Sequence, residues 1–205
     1  MDKTLLTTLV ALAAMMGYAD YVRADNYEAA RAVYLQATTG DSSSVDKALE
    51  QFAALIKTDP TNPVYVAFHA AALGMRARDA LIPWTKVSYA EEGAAEMDHA
   101  LSLLRPEHHS QRMLDVPIVM QTKLVAANAL LATPVFMNRR AQGAKLLKDV
   151  LNDDQFASVP IRFRISILQS ALKPNASASD DDRAERQRQL DQLLSVIAAK
   201  SEPVR

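Results

Sequence analysis

Residues 45–63 read VDKALEQFAALIKTDPTNP. Ala48, Leu49, Phe52, Leu55 and Ile56 recur three or four positions apart, so one face of an α-helix collects them all. Asp59-Pro60 ends that helix, because Pro has no N–H to donate and holds the residue before it away from helical backbone. Pro63 then opens a second helix in the first turn, where a missing N–H does no harm. Ser43 and Ser44 are the expected caps on the upstream side. A striped helix, a Pro-closed turn and a new helix make up a helical hairpin rhythm.

Working outward, the same rhythm fills the chain. Upstream, Asn26 is placed to cap a helix carrying Ala29, Ala32, Val33 and Leu35 and ending near Gly40. Downstream, helices are expected from Pro63 to about Arg78, and from Pro83 through Met97 and Leu101 to Leu104, with an interruption near Trp84. Three more follow over residues 116–131, 138–151 and 160–172. The stretch from Lys173 to Ser179 has the composition of a linker. A last helix starts in Asp180-Asp181-Asp182, whose charges suit the positive end of the helix dipole, and its stripe is Leu190, Leu193, Leu194 and Ile197. No stretch alternates with period two. The expected fold class is all-α, with about eight helices.

Composition narrows the function. The chain has 205 residues, 49% of them apolar, which supplies a core and excludes wholesale disorder. A net charge of -1 argues against a nucleic-acid binder, which shows a basic surplus. The absence of Cys removes disulfides, Cys-ligated metals and thiol nucleophiles. Five Gly leave no phosphate-cradling loop.

Residues 1–24 carry an address. Lys3 starts it, an apolar run follows from Leu5 to Met16, and small residues at Val22 and Ala24 flank Arg23. A charged start, an apolar centre and a small-x-small end are the parts of a secretory signal. The run falls short of the about 20 apolar residues of a membrane-spanning helix. The expectation is a signal cleaved near Ala24 that sends residues 25–205 to the periplasm or outside the cell; an N-terminal membrane anchor or a packed helix is the alternative.

The turn at 45–63, with Ala48, Phe52, Leu55, Asp59-Pro60 and Asn62-Pro63, resembles the second helix and closing turn of a tetratricopeptide repeat. A degenerate copy runs through Gly93, Met97, Ala100, Leu101 and Leu104 to Pro106, with Gly93 and Ala100 at the close-approach positions. His69 and Ala70 stand where the family carries Leu and Gly. The resemblance implies antiparallel hairpins stacked as a short right-handed solenoid, whose concave groove holds a protein or peptide. An irregular helical bundle is the alternative. Stacking has its own physical reason, since a hairpin cannot bury its apolar stripe alone and neighbours that cover it leave a groove lined by the first helices.

Catalytic chemistry finds little footing. His99, His108 and His109 lie close in sequence, but adjacent His side chains point apart and no His-Glu-x-x-His helix is present, so no metal site is expected. No nucleophile elbow exists, and Glu91-Glu92 and Asp153-Asp154 read as solvated helix surfaces or ends. No cofactor and no enzyme activity are expected. His69 reads as a hydrogen-bonded residue at a helix contact, and Arg139-Arg140, unfavourable at a helix start, hint at an external anion.

The segment from Arg76 to Tyr89 is the expected partner-binding patch. It gathers Arg76, Arg78, Asp79, Trp84, Lys86 and Tyr89, and Trp and Arg are enriched among residues that carry binding energy. The competing reading has Trp84 plugging the gap between hairpins while Arg78 and Asp79 pair to fix the turn. The expected function is a non-enzymatic interaction or scaffold protein of the cell envelope, in association with a membrane complex. The alternatives are a small-molecule or lipid-binding domain serving a transport system and a metal-assisted hydrolase.

Overall fold

The structure, a computed structural model, describes residues 24–176 and 179–201. The expected signal segment, but for Ala24, lies outside the described residues. Eight helices make up the described chain: α1 (residues 24–38), α2 (Ser42–Thr58), α3 (Pro63–Asp79), α4 (Pro83–Ser102), α5 (Ile118–Leu131), α6 (Arg140–Leu151), α7 (Ile161–Ala171) and α8 (Asp180–Ser201). They pair as α1/α2, α3/α4, α5/α6 and α7/α8. Each pair leans on the next through α2 with α3, α4 with α5 and α6 with α7, and α3 also packs on α5. The protein is all-α, built of antiparallel hairpins.

α3 and α5 show why the stack holds. Both are apolar nearly all round, with Val64 to Phe68 and Ala70 to Leu73 buried on α3 and Ile118 to Thr122 buried on α5. A helix without a polar face must be surrounded, and these two are. Small residues set the spacing inside hairpins. A Cβ on Gly93 of α4 would stand 2.9 Å from the Ala70 carbonyl oxygen, and one on Gly143 of α6 2.9 Å from the Leu131 nitrogen. Only Gly admits so close an approach. Ala100, the other expected close-approach position, is fully buried.

Several local expectations are corrected. α1 is already helical at Ala24, so Asn26 lies inside the helix rather than capping it. Asp41, not Ser43 or Ser44, caps α2. Its carboxylate accepts from the Ser43 N–H and from both serine hydroxyls, bonds that hold it below the usual carboxylate range. α4 is continuous past Trp84 and ends at Ser102. α5 starts at Ile118, because residues 112–117 form a small antiparallel ribbon pairing Arg112–Met113 (β1) with Val116–Pro117 (β2). Leu114 and Asp115 turn that ribbon with φ of 48° and 63°. On α8, Leu190 is buried while Leu194 is exposed, because α7 covers only part of the stripe.

Residues 173–176, the first part of the linker-like stretch after α7, are docked. Lys173 Nζ donates to Asn128 Oδ1 at 2.9 Å, the Asn175 amide donates to the Leu131 carbonyl at 2.8 Å, and Ala176 is buried. Leu131 sits in the last turn of α5, where carbonyls lack helical partners, so Asn175 satisfies one of them. Arg139 and Arg140 likewise have internal partners, Asp98 for the first and the Thr133 carbonyl for the second, which removes the hint of an external anion. Among the described residues no helix is long and apolar enough to cross a membrane.

Candidate functional site

Two surfaces stand out, a groove on the side of the odd-numbered helices and a cleft at the α3/α4 turn. The groove is built one turn at a time. On α5, Gln121, Leu124, Val125 and Asn128 follow the i, i+3, i+4, i+7 spacing that places them on one face. α3 adds Phe68 to this floor, α1 contributes Arg31, Tyr34 and Leu35, and α7 contributes Arg162, Phe163 and Ser166. Leu114 and Val116 of the ribbon, with Pro160 ahead of α7, complete the lining of a cavity of about 240 Å³.

The floor is held by aromatic packing and by one polar knot. Phe68 stacks on Phe52 with centroids 4.9 Å apart and meets Tyr34 edge-on at 4.8 Å. Such contacts add to area burial because ring edges and faces carry opposite partial charge. Burial pushes the Tyr27 and Tyr34 hydroxyls well above the ordinary phenol range, so both stay neutral. The Tyr27 hydroxyl donates to Gln121 Oε1, and the Gln121 amide donates to the Met113 carbonyl. One side chain thereby ties α1, α5 and the ribbon together. Arg31 and Arg162 line the groove with no ion pair among the described residues, and no carboxylate lines it.

At the α3/α4 turn the arginines are engaged. Arg76 pairs with Asp46 and lies 5.4 Å from the Tyr89 ring centroid. Arg78 Nε meets Asp79 Oδ1 at 2.6 Å, and the Ser42 hydroxyl donates to Asp79 Oδ2 at 3.0 Å. The Arg78 bond, first among the causes, holds the Asp79 carboxyl below its usual range. Arg76, Asp79, Leu81, Thr85 and Tyr89 help line an open cleft of about 520 Å³.

Of the six residues expected in the patch, Arg76, Asp79 and Tyr89 come together in this cleft, and Arg78 joins through Asp79. Trp84 and Lys86 are outside its lining and exposed. Trp84 is 75% exposed, so it does not plug a gap between hairpins, although the Arg78–Asp79 pair of that reading is present. Leu81, at 96% exposure, stands beside it.

His69 Nδ1 lies 2.8 Å from Glu96 Oε2, a polar contact between α3 and α4. His108 is buried, its Nδ1 accepting from the Arg105 N–H at 3.1 Å. Among the described residues no three His, Asp or Glu side chains gather as a metal site, so His99, His108 and His109 do not form one. Sequence reasoning missed the groove residues Arg31, Tyr34, Gln121, Arg162 and Phe163. Their signal is positional: Arg31 with Leu35, and Arg162 with Ser166, sit four apart on odd-numbered helices. Comparison with known proteins finds no family model, no curated protein and no solved structure that matches this chain.

Proposed function

We propose that this chain is a non-enzymatic binding module of the tetratricopeptide kind, an envelope scaffold that holds a segment of another protein in the groove between α1, α3, α5 and α7. The observation that carries this reading is that the first helix of every hairpin contributes to one shared concavity. The groove's about 240 Å³ falls below the roughly 300–1,000 Å³ that encloses a small ligand, which favours side chains of a longer segment over a free small molecule. Export rests on the composition of residues 1–24.

A second reading places the partner on the α3/α4 edge. It is favoured by the exposure of Leu81, Ile82 and Trp84, since solvent-facing apolar residues in a cluster mark interaction sites. Site-specific photocrosslinking in the native cell separates the two. A photoreactive phenylalanine at Leu35 yields a discrete protein adduct that disappears when Ser166→Phe fills the groove. An adduct from the Trp84 position alone transfers the function to the edge. Absence of adducts at both positions counts against a binding module.

A further inference from the structure

Cations and apolar surface are arranged differently in the groove than at the α3/α4 edge. Its floor and walls present Phe68, Val125, Leu35 and Phe163, while Arg31 stands on the α1 side and Arg162 on the α7 side. Lys173 adds a third cation at the rim, its ammonium held 2.9 Å from Asn128 Oδ1 on the floor helix. None of the three has an ion pair among the described residues. Glu28, one turn from Arg31 on α1, makes none either. Partial burial pushes the Lys173 ammonium below its usual range, as befits a cation without a facing carboxylate. At the α3/α4 edge, by contrast, Arg76 and Arg78 each have an aspartate of the same chain.

Desolvating an arginine without a partner is unfavourable, so an occupant that covers Arg31 and Arg162 must bring acceptors of its own. A guanidinium matches a carboxylate with two parallel hydrogen bonds. Between the two arginines the surface is aromatic and aliphatic, which suits a buried side chain rather than a run of charge. Resting on the groove reading above, we infer that the groove is selective for a protein segment in which Asp or Glu flanks an aromatic or aliphatic anchor. The anchor enters over Phe68 and Val125, and the flanking carboxylates meet Arg31 and Arg162. Complementary charge of this kind sets specificity and association rate more than total affinity.

The test is selection from a displayed library of random peptides on the immobilised full chain. Enriched peptides are then synthesised and titrated by fluorescence anisotropy. The expected result is that enriched sequences join Asp or Glu to Phe, Trp, Leu or Ile. The Arg31→Glu, Arg162→Glu double variant then weakens them by about tenfold or more and itself enriches Lys or Arg. Trp84→Ala leaves their binding unchanged. If the double variant loses helicity by circular dichroism, Arg162→Gln alone, at an exposed position, carries the measurement. Peptides that are lost on Ser166→Phe yet show no acidic bias, or that ignore the arginine variants, overturn the inference and leave the groove reading standing. Peptides that survive Ser166→Phe, or a selection that enriches nothing, bring down the groove reading and the inference with it.

Discussion

Phe68 in the groove and Trp84 at the α3/α4 edge are both large aromatic side chains, and they live in opposite circumstances. Phe68 is buried among Tyr27, Tyr34 and Phe52, so α1, α2 and α3 meet on its faces. Trp84 opens α4 with three quarters of its surface in solvent. The arginines follow the reverse pattern, paired at the α3/α4 edge and, among the described residues, without ion pairs in the groove. An aromatic close to cations in sequence is therefore ambiguous until the carboxylates are located. At the edge they complete an internal network, and in the groove their place is open.

The contrast breaks if the two aromatics respond alike to truncation. Phe68→Ala removes a ring packed on three others and is expected to cost about 3–5 kcal/mol of stability. Trp84→Ala should fall within about 0.5 kcal/mol of the parent, as exposed substitutions do. Urea denaturation of the full chain measures both. A Trp84→Ala loss comparable to that of Phe68→Ala means the indole is buried against something.

Gln121 sharpens the groove side of the contrast. Gln121→Ala leaves the Tyr27 hydroxyl buried without its acceptor and removes the side-chain donor to the Met113 carbonyl. The expected loss is about 1–3 kcal/mol, the range for orphaning a buried polar group. Hydrogen exchange should rise at α1 and the 112–117 ribbon before the α3/α4 hairpin. Uniform exchange throughout speaks against Gln121 as the tie.

How much of this was readable beforehand follows from what each feature depends on. α2 and α8 declare themselves by stripe and by turn or charge, because their signals lie within one helix length. Pro63 and Pro83 set helix starts correctly, since the ring fixes local backbone whatever the fold. The ribbon at 112–117 is illegible, because two-residue strands carry no periodicity and Leu114 is an unusual residue for positive φ. Asp41 is masked in the sequence by Ser43 and Ser44, the two serines that donate to it. The groove was the least legible feature. Gln121, Leu124, Val125 and Asn128 read as one face of a helix, but whether that face meets a neighbour or a concavity depends on hairpins far apart in sequence. Trp84 stands out by composition, and composition does not report exposure.

Two glycines test how the edge is seated. Gly93 lets α4 press on α3, whereas a Cβ on Gly74 meets nothing within 4 Å. Ala is about 1 kcal/mol better than Gly in a helix interior, so both Gly→Ala changes would stabilise on propensity alone. The contact with the Ala70 carbonyl reverses the sign at Gly93, where the net expectation is a loss of about 1–2 kcal/mol. Gly74→Ala should gain about 0.5–1 kcal/mol. If both variants gain, the α3/α4 contact is looser than the backbone distances require.

The smallest expected loss with a signature of its own belongs to Asp79, and its pH dependence identifies it. The Arg78 guanidinium and the Ser42 hydroxyl hold its carboxyl below the ordinary value, so the folded state retains the charge to lower pH than the unfolded chain does. The resulting stability is present in full above the unfolded carboxylate value of about 3.9, and it is lost as pH falls through the lower folded value. Asp79→Asn should therefore cost about 0.2–1 kcal/mol at neutral pH, the modest range of a solvent-screened pair. The gap between variant and parent should narrow below pH of about 4 and shrink with added salt. A gap unchanged across that acid range assigns the loss to the shape of the turn rather than to the ion pair. The edge then ceases to be a place where this fold neutralises its own arginines, and the contrast with the open groove loses its electrostatic half.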